Sequence, residues 1–78
     1  MKNTFKAISR DGKEFVRKSD HEYILAVGVQ EKEKNNDAIW SFHGSLKSAQ
    51  SKVRQLQKAS EVHYNGSWDV YIVPVEQI

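Results

Sequence analysis

The residue types in this 78-residue chain that could do chemistry are few. They include three histidines, His21, His43 and His63, serines such as Ser9, Ser41, Ser45 and Ser67, and twelve lysines and arginines against ten carboxylates. The histidines stand twenty or more residues apart, with no i,i+4 pair and no cysteine beside them, so the spacing that holds zinc is missing. None of the serines lies in a Gly-x-Ser-x-Gly elbow or another nucleophile motif. His43 stands out only because it comes two residues before a helix start. Gly44-Ser45 at that start could hold an anion on backbone N–H groups, yet it lacks the glycine and lysine spacing of a phosphate loop. The expectation is therefore no catalytic residue, no metal and no cofactor, and the chain is read as a non-enzyme.

Charge is more informative. Lys47, Lys52, Arg54 and Lys58 fall in a stretch, residues 45–60, that contains no acid. Exposed helices ordinarily interleave glutamates for i,i+4 support, and Lys47 sits in the first turn, where the helix dipole disfavours a cation. Lys47, Ser51, Arg54 and Lys58 share one stripe of the helix. That stripe is either a solvated face or an electrostatic footprint for phosphate or acidic protein. A second basic set lies in the first twenty residues. If Asp11-Gly12 is a two-residue type I′ turn, Arg10 pairs with Lys13, Ile8 with Phe15 and Lys6 with Arg17. Lys6, Arg10, Lys13 and Arg17 then share a face around Ile8 and Phe15, and Phe5, Ala7, Ser9, Glu14, Val16 and Lys18 form the other, core-facing side. A three-residue loop with a bulge would slip the pairing by one and break that basic face.

These residues need elements to position them. Leu46, Ala49, Val53 and Leu56 recur at helical spacing, with Ser45 at the N-cap position. Around this helix the chain reads as strands. His21 to Gln30 is apolar on both alternating sets, which predicts a strand covered on both faces, with Gly28 marking a bulge or a close backbone approach. The stretch Glu31 to Asp37 has no apolar residue and reads as a solvated loop. Ala38 to His43 follows, with Trp40 and Phe42 expected as core anchors beneath the helix. Past Ser60, Asn65-Gly66 marks either a hairpin turn or the αL end of a longer helix; a short segment, Glu61 to Tyr64, and a turn is the preferred assignment. The last strand runs from Ser67 to Val75, with Pro74 at its end or on an edge. The predicted fold is α+β: one domain, residues 1–78, with a single antiparallel sheet of four to five strands and one helix across one face, in the order β-β-β-β-α-β.

Bulk properties narrow the setting. A chain this short buries only about 60% of its unfolded surface, so its stability is marginal. It has no cysteine and a net charge of +2. No run approaches the roughly 18 apolar residues of a membrane span, and Met1 to Lys6 is too polar for a signal peptide. A cytoplasmic protein is expected, monomeric or homodimeric and without a membrane partner.

Three stretches carry a family resemblance: Gly12-Lys13-Glu14-Phe15-Val16-Arg17-Lys18-Ser19, Trp40-Ser41-Phe42-His43-Gly44-Ser45 with Ala49 following, and Val70-Tyr71-Ile72-Val73-Pro74-Val75. Together the chain resembles small bacteriophage and prophage proteins, a group that includes anti-CRISPR proteins and other inhibitors of host defence. The resemblance implies a protein that acts in the host cytoplasm by occupying a host protein or ribonucleoprotein complex and blocking its access to DNA. No binding residue transfers with it. The partner-binding candidates come from charge alone: Lys47, Lys52, Arg54 and Lys58 on the helix, and Lys6, Arg10, Lys13 and Arg17 on the hairpin. The alternative function is a small basic accessory protein that contacts nucleic-acid phosphate without reading bases.

Overall fold

The computed structural model describes residues 2–78. Its elements are β1 (Asn3–Ile8), β2 (Glu14–Ser19), β3 (Leu25–Glu31), β4 (Asn36–His43), α1 (Leu46–His63), β5 (Trp68–Pro74) and β6 (Glu76–Gln77). The α+β class holds. The single sheet does not: the strands form two antiparallel sheets of three, ordered β2-β1-β6 and β4-β3-β5. The reason lies in β3, where Ala26, Val27, Gly28 and Val29 are buried in succession. A strand apolar on both sides needs a layer on each. The helix can supply one, and the terminal hairpin supplies the other.

Three layers result. On one face of the central sheet Val27 and Val29 pack with Ala49 and Leu56 of α1, joined by Leu25, Val53, Trp68, Val70 and Ile72. On the other face Ala26, Ile39 and Tyr71 pack with Ala7 of β1, joined by Phe15, Phe42, Val73 and Val75. Tyr23 extends this second core, with its ring 5.3 Å from Phe5 and 5.7 Å from Phe42. The chain crosses between sheets after Pro74. Val75 N–H donates to the Ile24 carbonyl at 3.0 Å, β6 then pairs with β1, and Ile78 N–H donates to the Thr4 carbonyl at 2.9 Å.

The first hairpin takes the slipped register. Ala7 faces Phe15, Phe5 faces Arg17 and Lys6 faces Val16. Ser9 N–H donates to the Lys13 carbonyl at 2.9 Å and Gly12 N–H to the Ser9 carbonyl at 3.0 Å, with Gly12 at φ +88°. The loop is thus Arg10-Asp11-Gly12, three residues closed by a glycine in the left-handed region. Phe15 moves to the core side with Phe5, Ala7 and Ser9, and Val16 faces solvent. The two-residue turn fails because only the longer loop places both phenylalanines on the side that has something to cover.

Two further expectations are corrected. Trp40 and Phe42 do not lie together under the helix. The pairing of β3 with β4 shifts between Val27 and Gly28: Val27 faces Ser41, Gly28 faces Ile39, and Trp40 is the extra residue. The bulge sends Phe42 and Ile39 to the hairpin side and leaves Trp40 42% exposed. The helix also does not stop near Ser60 before a short segment. It continues to His63, and the Ser60 carbonyl accepts from Tyr64 and Gly66 N–H groups, both at 2.9 Å, with Asn65 at φ 53°. Asn65-Gly66 therefore ends a helix and turns no hairpin. Ser60 is buried, and its hydroxyl accepts the first N–H of β5, from Trp68, at 3.0 Å, which joins the helix end to the sheet. At the other end Ser45 caps as expected, its Oγ accepting from Ser48 N–H at 3.2 Å.

Gly28 meets both expectations for it, lying at the bulge and under a close approach. A Cβ there would fall 2.6 Å from Cε2 and Oη of Tyr71, whose ring closes on the position. Gly28→Ala is expected to destabilise the fold by about 1–3 kcal/mol through overpacking, read as a lowered urea midpoint; an unchanged midpoint would show that the Tyr71 ring moves aside freely.

Candidate binding surfaces

The structure separates the two basic sets. On the hairpin, Lys6 lies 3.6 Å from Glu14 and 3.9 Å from Glu76, Lys13 lies 3.2 Å from Asp11, and Arg10 is paired with Asp69. The Arg17 guanidinium lies 5.5 Å from the centre of the Tyr23 ring, on the core side of the hairpin. Lys6 points to the opposite side, with Val16. The face expected to gather Lys6, Arg10, Lys13 and Arg17 does not form, because the register shift puts Lys6 and Arg17 on opposite sides. On the helix, Lys47, Arg54 and Lys58 are exposed along one stripe with Ser51, and Lys52 is half-buried on the flank toward β4. None of these four enters an ion pair among the described residues.

This changes where the charge of the molecule resides. Residues 46–63 hold four cations and one carboxylate, Glu61, and the remainder of the chain holds eight cations and nine carboxylates. The whole net positive charge therefore belongs to α1. Outside it the molecule is close to neutral, and four of its eight cations, Lys6, Arg10, Lys13 and Lys34, pair with carboxylates.

Three arrangements were not legible in the residue pattern. The first is a buried polar network on the hairpin side of the central sheet. Tyr71 Oη donates to Asp37 Oδ1 and accepts the backbone N–H of Arg10 at 3.2 Å. The Arg10 guanidinium lies 4.2 Å from the centre of the Tyr71 ring and bonds Asp69. Burial, and next the bond to Asp37, push the Tyr71 phenol up to about 12. Asp37, expected in a solvated loop, is only 3% exposed, and its Oδ2 has no partner among the described residues. Its position two residues before Ile39 on an alternating strand was the available signal, hidden by the polar run that precedes it.

The second is a chain of hydroxyl and imidazole groups between β4 and the first turn of α1. His43 Nε2 lies 2.7 Å from Ser41 Oγ and Nδ1 lies 2.8 Å from Ser48 Oγ. Partial burial first, and then Lys52, hold the imidazole below its ordinary value of 6.5. A neutral ring donates through one nitrogen and accepts at the other, so it bonds one serine each way. Both causes oppose the imidazolium that a general base must form. No carboxylate touches the ring among the described residues, so the network fastens the edge strand to the helix.

The third is a row of rings at the surface. Trp40 meets Trp68 edge-on at 4.8 Å, Tyr64 stacks on Trp68 at 4.4 Å with 21° between the planes, and His63 lies 6.2 Å from Tyr64. Trp40 reaches this row only through the β4 bulge, and Tyr64 only because the helix runs on to His63.

No cluster of three or more histidine, cysteine or carboxylate groups that could hold a metal occurs among the described residues. No helix among them is long and apolar enough to cross a membrane. A concavity of about 280 Å³ is lined by Lys6, Ile8, Val73, Pro74, Val75 and Glu76 and is mostly apolar. No family model, curated protein or solved structure matches the chain.

Two outcomes follow from the polar networks. Tyr71→Phe keeps the ring over Gly28 but leaves Asp37 buried with no donor; chemical denaturation should show a loss of about 1–3 kcal/mol. In the wild-type protein the raised phenol adds stability that is complete below about pH 10 and lost as pH rises toward 12, and the variant should lack this alkaline loss. For His43 the sign is opposite in pH. Between its depressed folded value and 6.5 the unfolded chain binds more protons, so stability falls as pH drops through that window and levels off below it. Urea midpoints from about pH 5 to 7.5 should fall less steeply for His43→Asn than for wild type; parallel curves would show that His43 titrates alike in both states.

Proposed function

We propose that this protein acts by stoichiometric binding, with no chemistry of its own, and that the outer face of α1 docks on an anionic macromolecular surface. The observation that carries this is the confinement of all net positive charge to α1, where Lys47, Lys52, Arg54 and Lys58 enter no ion pair among the described residues. A helix selected for its own stability would carry acids in its first turn, and this one carries none there. Unpaired cations on a rigid rod steer an anionic partner and form charge-assisted hydrogen bonds with it on contact. From Lys47 to Lys58 the face is about 16 Å long at 1.5 Å per residue, enough to span several phosphates or carboxylates.

The biological setting comes from the resemblance to small phage proteins. In that setting the chain is an inhibitor in the host cytoplasm that occupies a defence complex, CRISPR machinery above all, and blocks its access to DNA. The helix cations would lie against guide-RNA phosphate or acidic protein surface. The hairpin cations Lys6, Arg10 and Lys13 drop out of the docking set because they already hold carboxylates.

The test compares the wild-type chain with a variant carrying Lys47→Glu, Arg54→Glu and Lys58→Glu, probed with RNA, duplex DNA and polyglutamate at low salt. All three sites are exposed, so thermal unfolding should be nearly unchanged. Wild type should bind at least one polyanion with an affinity that falls steeply with salt, and the variant should lose that binding. Equal binding by the variant, or no binding to any polyanion by wild type, would leave the stripe a solvated face. CRISPR interference left intact in cells producing the chain would remove the defence setting.

A further inference from the structure

We propose that the ring row Trp40–Trp68–Tyr64, on the Lys52 flank of α1, is a stacking platform for single-stranded nucleic acid. The inference rests on the docking role of α1 and names its partner. The rings form one connected group, with each neighbouring pair in contact. Trp68 packs on the helix-side core, and the rings on either side of it reach solvent: Trp40 is 42% and Tyr64 46% exposed, one at each end of the row. Two independent departures from a simpler fold put them there, the extra residue in β4 and the added last turn of α1. An exposed group of aromatic rings on a small domain marks a contact surface.

Charge chooses among the partners that such rings accept. Sugars and proline-rich peptides also stack on aromatic surfaces, but neither carries the negative charge that matches α1. Ser48 bonds His43 of β4, and Lys52 lies close enough to lower that imidazole. Ser48, Lys52, Ala59 and then His63 follow at helical spacing on this flank, which places one cation, Lys52, on the side of the helix that ends at the ring row. Glu31, paired opposite Trp68 in the sheet, is met by Lys34 at 3.6 Å, so this carboxylate does not stand unopposed beside the rings. A cation beside exposed rings, with a basic stripe further round the same helix, is the pairing of features that holds an unpaired strand, with phosphates on the cations and bases on the rings. Duplexes hide their base faces and can use only the cations.

The two tryptophans of the chain are both in the row, so its own fluorescence reports stacking. Titration with oligodeoxythymidylate and oligouridylate at low salt should quench the emission, and either should bind more tightly than a duplex of equal length. Tyr64→Ala and Trp40→Ala should each weaken single-strand binding by roughly ten- to a hundredfold while leaving its salt dependence unchanged. Trp40→Phe, which retains a ring, should restore most of the affinity. Tyr64 lies beyond the buried core, so its variant remains informative if Trp40→Ala unfolds. Single strands and duplex bound equally, with the ring variants silent but binding lost on reversal of Arg54 and Lys58, would overturn the platform and leave the cationic face standing. Binding to polyglutamate but to no nucleic acid would do the same. Binding to neither would overturn both.

Discussion

The ring of Tyr71 lying over Gly28, with its hydroxyl fixed between Asp37 and the Arg10 backbone, is the contact on which the layered structure depends. Gly28 sits in the middle strand, so the ring covers the centre of the sheet. Asp37 belongs to β4 and Tyr71 to β5, so one hydrogen bond spans all three strands. Arg10 belongs to the hairpin turn, so the same phenol fastens the second sheet to the first. A side chain with any bulk at position 28 would lift the ring and pull its hydroxyl from both partners. In a domain of this size, where one or two kcal/mol is a large share of the total stability, few other contacts serve so many elements.

Local signals in the sequence were reliable where a single short-range rule applied. The Ser45 cap, the apolar stripe at Ala49, Val53 and Leu56, the doubly covered β3 and the placement of Pro74 all emerged from the residue pattern. The misassignments came where two local solutions were nearly equal and packing across the molecule chose between them. Asp11-Gly12 suits a two-residue or a three-residue loop; the need to bury Phe5 and Phe15 together decided it. Asn65-Gly66 suits a hairpin or a helix end; the buried Ser60 hydroxyl, held by the first amide of β5, decided that. The bulge in β4 has no marker in its own strand. Its cause lies across the sheet, at Gly28, and alternation read along β4 alone put Phe42 on the wrong side.

The candidate surfaces show the same division. Counting cations found two basic sets, and the acid-free stretch 45–60 already favoured the helix. The carboxylates that meet the hairpin cations, Glu14, Glu76, Asp11 and Asp69, widen the difference, and three of those four pairings depend on tertiary structure. The ring row was invisible because its members are far apart in sequence and meet through the two features just described. What the sequence did carry was the lack of acids over residues 45–60, an absence that needs no fold to be seen.

The extra residue in β4 also has a consequence for how this protein can vary. With Trp40 inserted, the two halves of the strand keep independent side-chain phases: Asn36 to Ile39 follow one alternation and Ser41 to His43 another. Loss of the Trp40 codon alone would merge the phases, restore unbroken pairing and erase the ring from the surface. Length, more than residue identity, is then what this strand must conserve, and relatives that align residue for residue elsewhere could differ in surface character by one gap.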